Sequence, residues 1–245
     1  MTQHMLAGRL EKEITWFQRR DVIKAAAAWV AMGGLPVAMA QQRSNVVQLT
    51  GDALLNGSRL QPDQIIQTGD QLQTGPGSSM IFAMGNAAFL VRQNTRMTVE
   101  RGTTLSAVSV LRMVSGAVAS VWNKGSNRSI ITPTITAGIR GTGVYTEVMT
   151  DQDNRTYFCN CYGIVELSAG GSQTVSQAQY HQSFWSQTQG APLAPAGAIN
   201  HSDEELEFLA QLMGQRTAWQ IAGRKGVKDG KGQMGATPEP YRSPG

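Results

Sequence analysis

From Ser44 to about Trp185 the apolar residues fall in short runs, many alternating with polar ones. Val144-Tyr145-Thr146-Glu147-Val148 shows the pattern: a period of two sets Val144 and Val148 on one face. The pattern predicts strands at 45–49, 79–84, 87–91, 97–100, 105–113, 117–122, 129–131, 143–149, 156–161 and 164–167. Turn chemistry separates them, at Asn56-Gly57, Gly75-Pro76-Gly77, Gly85-Asn86, Gln93-Asn94, Lys124-Gly125 and Gly170-Gly171. Turns every ~8–12 residues are what a sandwich, a barrel or a solenoid-like stack gives, and the lack of strand–helix alternation argues against a parallel α/β sheet. The expected fold is all-β, a single domain over 44–188 built as a sandwich or a solenoid-like stack of short strands.

One amphipathic helix is expected over 202–223. Ser202 followed by Glu205 forms a capping box, and the acids Asp203, Glu204, Glu205 and Glu207 suit a helix start. Leu206, Leu209 and Met213 recur at helical spacing, Leu212 and Trp219 widen the apolar face, and Gly223 supplies a stop. This helix is expected to pack on the β domain and cover an edge or an open end. Residues 189–200 read as a linker and 224–245 as a disordered basic tail.

Charge refines the picture. The chain carries 21 Lys and Arg against 17 Asp and Glu, yet residues 41–223 sum to −1, so the surplus belongs to the ends. A central domain without excess positive charge argues against nucleic-acid binding. Hydrophobic residues make up 41% of the chain, enough for a real core. No long, strongly apolar run follows residue 40, which argues against a multi-span membrane protein.

The first forty residues have the look of an address. Arg19 and Arg20 are followed by Asp21, two aliphatics and Lys24, then a weakly apolar stretch ending Ala38-Met39-Ala40. This resembles a twin-arginine signal peptide, with Gln18 where Ser or Thr is usual and Ala38 and Ala40 forming the small-x-small cleavage pattern. The resemblance implies export to the periplasm in the folded state, with any metal loaded beforehand and no membrane span kept after cleavage.

Several segments occur in an order that resembles the FecR-type domain. They are Gly69-Asp70 with Thr74-Gly75 and Ser78, then Phe89 to Thr95, then Leu111 to Val118, Thr132-Pro133, and Ile139-Arg140-Gly141-Thr142. The resemblance spans roughly 45–168 and implies a non-enzymatic binding or regulatory module facing an envelope protein or ligand, in envelope or iron-related sensing. On physical grounds the glycines mark tight turns or close approaches, and Arg140 is expected to pair with Asp70 or Glu147.

Cys159 and Cys161 are the chain's two cysteines, two apart on a predicted strand, so both sulfurs leave one face. His181 is the natural third ligand from a following strand, with His201 more distant. Three readings stand open: a disulfide, a zinc or copper site, and buried or redox-active thiols. No phosphate loop, nucleophile elbow or complete calcium loop is present, and Asp151-Gln152-Asp153-Asn154 reads as a hairpin turn. The chain is therefore expected not to be an enzyme. The competing function is a metal-binding or redox-active protein using Cys159, Cys161 and His181.

Overall fold

The computed structural model describes residues 44–102, 107–125, 128–187, 190–234 and 239–240. The expected export segment, with Arg19, Arg20, Ala38 and Ala40, lies outside them. The strands are β1 (Val46–Thr50), β2 (Ala53–Leu55), β3 (Ser58–Arg59), β4 (Gln71–Thr74), β5 (Ser79–Met84), β6 (Ala87–Val91), β7 (Arg96–Arg101), β8 (Val108–Trp122) and β9 (Ser129–Ile131). They continue with β10 (Thr136–Ile139), β11 (Gly143–Met149), β12 (Arg155–Ala169), β13 (Ser172–Ala178), β14 (Tyr180–Ser186) and β15 (Ala194–Ala196). Helices α1 (Asp203–Leu212) and α2 (Ala218–Ala222) follow, then the short strands β16 (Arg224–Lys225), β17 (Lys231–Gly232) and β18 (Glu239–Pro240). The fold is all-β, as the alternation predicts.

Two sheets share two strands. Sheet I runs β1-β5-β6-β8-β11-β12-β14, with β15 and β17 dividing the far edge of β14. Sheet II runs β3-β2-β4-β7-β8-β9-β10-β12-β13. Only β8 and β9 run parallel among the described pairs. Sequence reading splits β8 and β12 into two strands each, because glycine interrupts the alternation; in the structure each is one strand of fifteen residues that turns from one sheet into the other. The corners are Gly116 and Gly163, both at positive φ (78° and 97°). A Cβ at Gly116 would run into the backbone and hydroxyl of Thr95, so only glycine fits that bend. This is a sandwich with corner strands, and the solenoid alternative falls away.

The sandwich has a core on each side of sheet I. The inner core, between the sheets, gathers Phe82, Phe89, Trp122, Phe158 and Phe184 with Leu72, Met97, Leu111, Val165 and Leu167. The outer core lies between sheet I and the helices, where Leu206, Phe208, Leu209 and Trp219 meet Ala88, Ala117, Ala119, Tyr145, Tyr157 and Tyr162. Alanines on the sheet face let the helical segment approach closely.

The C-terminal part departs from expectation in three ways. The helix expected over 202–223 is two: α1 stops at Leu212, Gly214 turns the chain at φ 65°, and Thr217 caps α2 with its own capping box. The Ser202–Glu205 capping box and the Gly223 stop are present as predicted. Part of the expected linker forms β15, because Ala194–Ala196 pair with the open edge of β14. Described residues of the expected disordered tail are ordered instead: β17 pairs with β14, and Lys225 and Lys228 are drawn onto the buried carboxylate of Asp203. No helix among the described residues is long and apolar enough to cross a membrane.

Candidate metal centre

Cys159 and Cys161 project from β12 into the outer core, while Phe158 between β12 neighbours points inward. In a flat strand such side chains would stand about 6.6 Å apart. The pairing of β12 with β11 slips between Gly143–Tyr162 and Val144–Asn160, leaving Cys161 as the extra residue of a bulge. The sulfurs lie 3.7 Å apart, and both thiols are free. Asn160 props the bend by donating to the Gly163 and Ser176 carbonyls, and its carbonyl accepts from Thr142.

His181 reaches the same place by a second irregularity. Strict alternation would put Tyr180 and His181 on opposite faces of β14. The β14–β17 register slips between Tyr180 and Gln182, His181 takes a left-handed conformation (φ 41°), and both side chains enter the outer core. His201 arrives on the connector into α1, one residue before the helix cap, and its ring stacks on Tyr145 at 4.7 Å.

Four ligand atoms thus converge: Cys159 Sγ, Cys161 Sγ, His181 Nδ1 and His201 Nε2, with ligand atoms of the four residues lying within 4.8 Å of one another and all four residues buried. Zinc bonds of about 2.3 Å to sulfur and about 2.0–2.1 Å to nitrogen give tetrahedral edges of about 3.8 Å for S–S, about 3.5 Å for S–N and about 3.4 Å for N–N. The corresponding separations here are 3.7 Å for the sulfurs, 3.5 Å from Cys159 Sγ to His181 Nδ1, and 3.0 Å between the two imidazole nitrogens.

The outward nitrogens fix the tautomers. His181 Nε2 lies 2.9 Å from Asp203 Oδ1, and His201 Nδ1 lies 2.6 Å from the Ile199 carbonyl. Both partners are acceptors, so both outward nitrogens carry a proton, and in the neutral rings both inward nitrogens present lone pairs. Two lone pairs 3.0 Å apart require a cation between them, either a proton or a metal ion. Asp203 is itself saturated, accepting from Tyr180 at 3.0 Å and pairing with Lys225 at 2.6 Å and Lys228 at 2.9 Å. Burial alone would raise its pKa, but the bonds from His181 and the two lysines hold the carboxyl far below the usual range.

Electrostatics differentiate the sulfurs. Burial opposes ionisation of both, but the Cys161 thiol and the two imidazoles pull Cys159 well below the ordinary thiol value. Cys161, buried and beside that forming thiolate, is pushed well above it. Cys159, His181 and Asp203 also line up as a nucleophile, a base and its orienting acid would. All three are buried in this structure.

The motif residues sit elsewhere and act structurally. Asp70 closes an exposed turn, accepting from Asn56 Nδ2 and the Gln67 amide at 2.7 Å each, and Gly69 takes φ 104° there. Arg140 pairs with Glu166 at 2.5 Å, not with Asp70 or Glu147. The register explains this: Gly138 pairs with Glu166, so Arg140 lies two residues along over the same strand. Glu147 is buried on the other side of sheet I, held by Tyr145 and Asn200. Gly141 takes φ 88° beside Lys124, and Thr142 bonds the Tyr162 carbonyl. Asp151 to Asn154 form the predicted hairpin turn.

No family model and no curated protein matches the sequence. Among solved structures, the fold is similar to two crystal structures of a candidate anti-sigma factor from Parabacteroides distasonis, each at 10% identity, with TM-scores of 0.43 and 0.44. The aligned parts cover 59% and 61% of this chain, and the chain spans 65% and 66% of the length of those two.

Proposed function

We propose that this chain is a non-enzymatic β module that binds one zinc ion through Cys159, Cys161, His181 and His201. One observation carries the reading: both histidines spend their outward nitrogens on acceptors and turn their inward nitrogens into a cluster with two sulfurs, in which the S–S and Cys159–His181 separations match the edges of a zinc tetrahedron. Two thiolates and two neutral imidazoles form a donor set zinc takes readily, and four protein ligands leave no position for a substrate, which makes the ion structural rather than catalytic. Copper(I) would favour the sulfurs over the imidazoles. The resemblance of residues 1–40 to a twin-arginine signal supports a periplasmic site filled before export. The order of the FecR-type motifs supports a regulatory role toward an envelope partner.

Elemental analysis of the purified full chain tests this. One zinc per chain is expected, falling at least tenfold in both Cys159→Ala and His201→Ala. Substituted cobalt should give the absorption of a tetrahedral thiolate site. A wild-type chain that takes up no zinc, or His201→Ala with its zinc intact, overturns the reading.

A further inference from the structure

The two cores differ in the aromatic residues they use. The four tyrosines of the described residues, Tyr145, Tyr157, Tyr162 and Tyr180, all line the outer core, whereas the sheets' phenylalanines, Phe82, Phe89, Phe158 and Phe184, all line the inner one. A tyrosine-lined face keeps a hydroxyl for water and tolerates exposure that a phenylalanine-lined face does not. The buried residues of the inner core all come from positions before 185, so that core is complete without the C-terminal segment.

Polar ties from residues 199–232 converge on the metal centre. His201 is a ligand, Asp203 orients the ligand His181, and Lys225 and Lys228, beyond α2, both grip Asp203. We propose that zinc occupancy decides whether residues 199–232 lie on sheet I. The centre is a clasp, and the chain is a zinc-gated switch whose opening bares the tyrosine face. The inference rests on the zinc-binding reading above and adds to it what the ion controls.

With the ion in place, the connector carrying His201 is bonded to β12 and β14 at once. With the ion withdrawn, the four ligand atoms lose their common partner, and Asp203 no longer orients a ligand. Several ties do not involve the ion: Arg92 to Glu205 at 2.6 Å, Asn200 to Glu147 at 2.9 Å, the Ile199 amide to the Tyr157 hydroxyl at 3.1 Å, Gln215 to Asn123, and the pairing of β17 with β14. They set the register in which the segment docks again.

The test is hydrogen exchange of the full chain, zinc-loaded and then chelated, with zinc content measured on the same samples. Chelation is expected to speed exchange at least tenfold across 199–232 and at Tyr180–Gln182, while β7 to β10 stay protected. Asp203→Asn keeps all four ligands and should weaken zinc affinity about 10–100-fold, so that the segment opens at lower chelator concentration. If zinc binds and exchange of 199–232 ignores its removal, the clasp is overturned and the zinc site stands. If protection collapses throughout, zinc supports the whole fold and the clasp is again overturned. If no zinc binds, both proposals fail together.

Discussion

The inner and outer cores share sheet I yet are built on different terms. The inner core packs Phe82 on Phe89 at 4.8 Å and sets Phe89 edge-on to Trp122 at 5.3 Å, with aliphatic side chains filling the rest. Its stability follows from removing apolar area from water. The outer core carries every buried acid and histidine among the described residues: Glu147, His181, His201, Asp203 and Glu205. Each has a partner, because a buried charge left alone would cost several kcal/mol. Apolar burial holds both cores, but the second adds to Leu206, Phe208, Leu209 and Trp219 a set of buried polar contacts that must each be completed. The proposed clasp would make the outer layer a conditional attachment on a permanent body.

The hardest blow to that contrast would fall on the inner core. Phe89→Ala is expected to lower global stability by about 3–5 kcal/mol in denaturant unfolding of the zinc-loaded chain. A loss confined to residues 199–232, with the sheets intact, would break the distinction between the two cores.

A smaller effect should sharpen it. Burial raises the pKa of Glu207 even though Trp219 Nε1 donates to it at 2.6 Å and Lys225 lies 3.6 Å away. A raised carboxyl favours its neutral form on folding, so its ionisation at pH 7 works against docking. Its contribution improves as pH falls through the folded value toward the ordinary one near 4.3. Glu207→Gln should thus slow proteolysis within 199–232 at pH 7, and the advantage should shrink at pH ~5. An advantage that grows on acidification would reverse the sign of this argument.

The smallest effect belongs to neither core. Arg140 and Glu166 pair at 2.5 Å with their side chains 60% and 50% exposed. A double-mutant cycle of Arg140→Ala and Glu166→Ala should give a coupling below about 1 kcal/mol, weakened further by salt. A larger value would mean that surface pairing, not core packing, governs the corner strands.

Legibility from sequence followed the same division. Strands buried on both faces or bounded by strong turns, such as Ser79–Met84, Ala87–Val91, Ser129–Ile131 and Gly143–Met149, are readable to the residue. Strand β13, Ser-Gln-Thr-Val-Ser-Gln-Ala, is exposed along most of its length and shows no apolar period to read. At the metal centre, Cys159, Cys161 and His181 stand out by rarity and proximity. The role of His201 does not, because 39 residues and a Pro-rich stretch part it from Cys161; its one local sign is its place just before the Ser202 cap. Asp203 looks like a routine helix-start acid, and Lys225 and Lys228 like a solvated tail. Only the folded chain shows that these three meet.

The corner strands carry a consequence for how the chain is made. β8 joins β6 and β7 on the side synthesised before it, and β11 and β9 on the side synthesised after it. Until β9 and β11 emerge from the ribosome, β8 presents an unpaired edge in both sheets at once, the kind of edge that recruits stray strands. Closure of the sandwich therefore waits on the second half of the chain, and the nascent first half is the stage at which a chaperone would matter most.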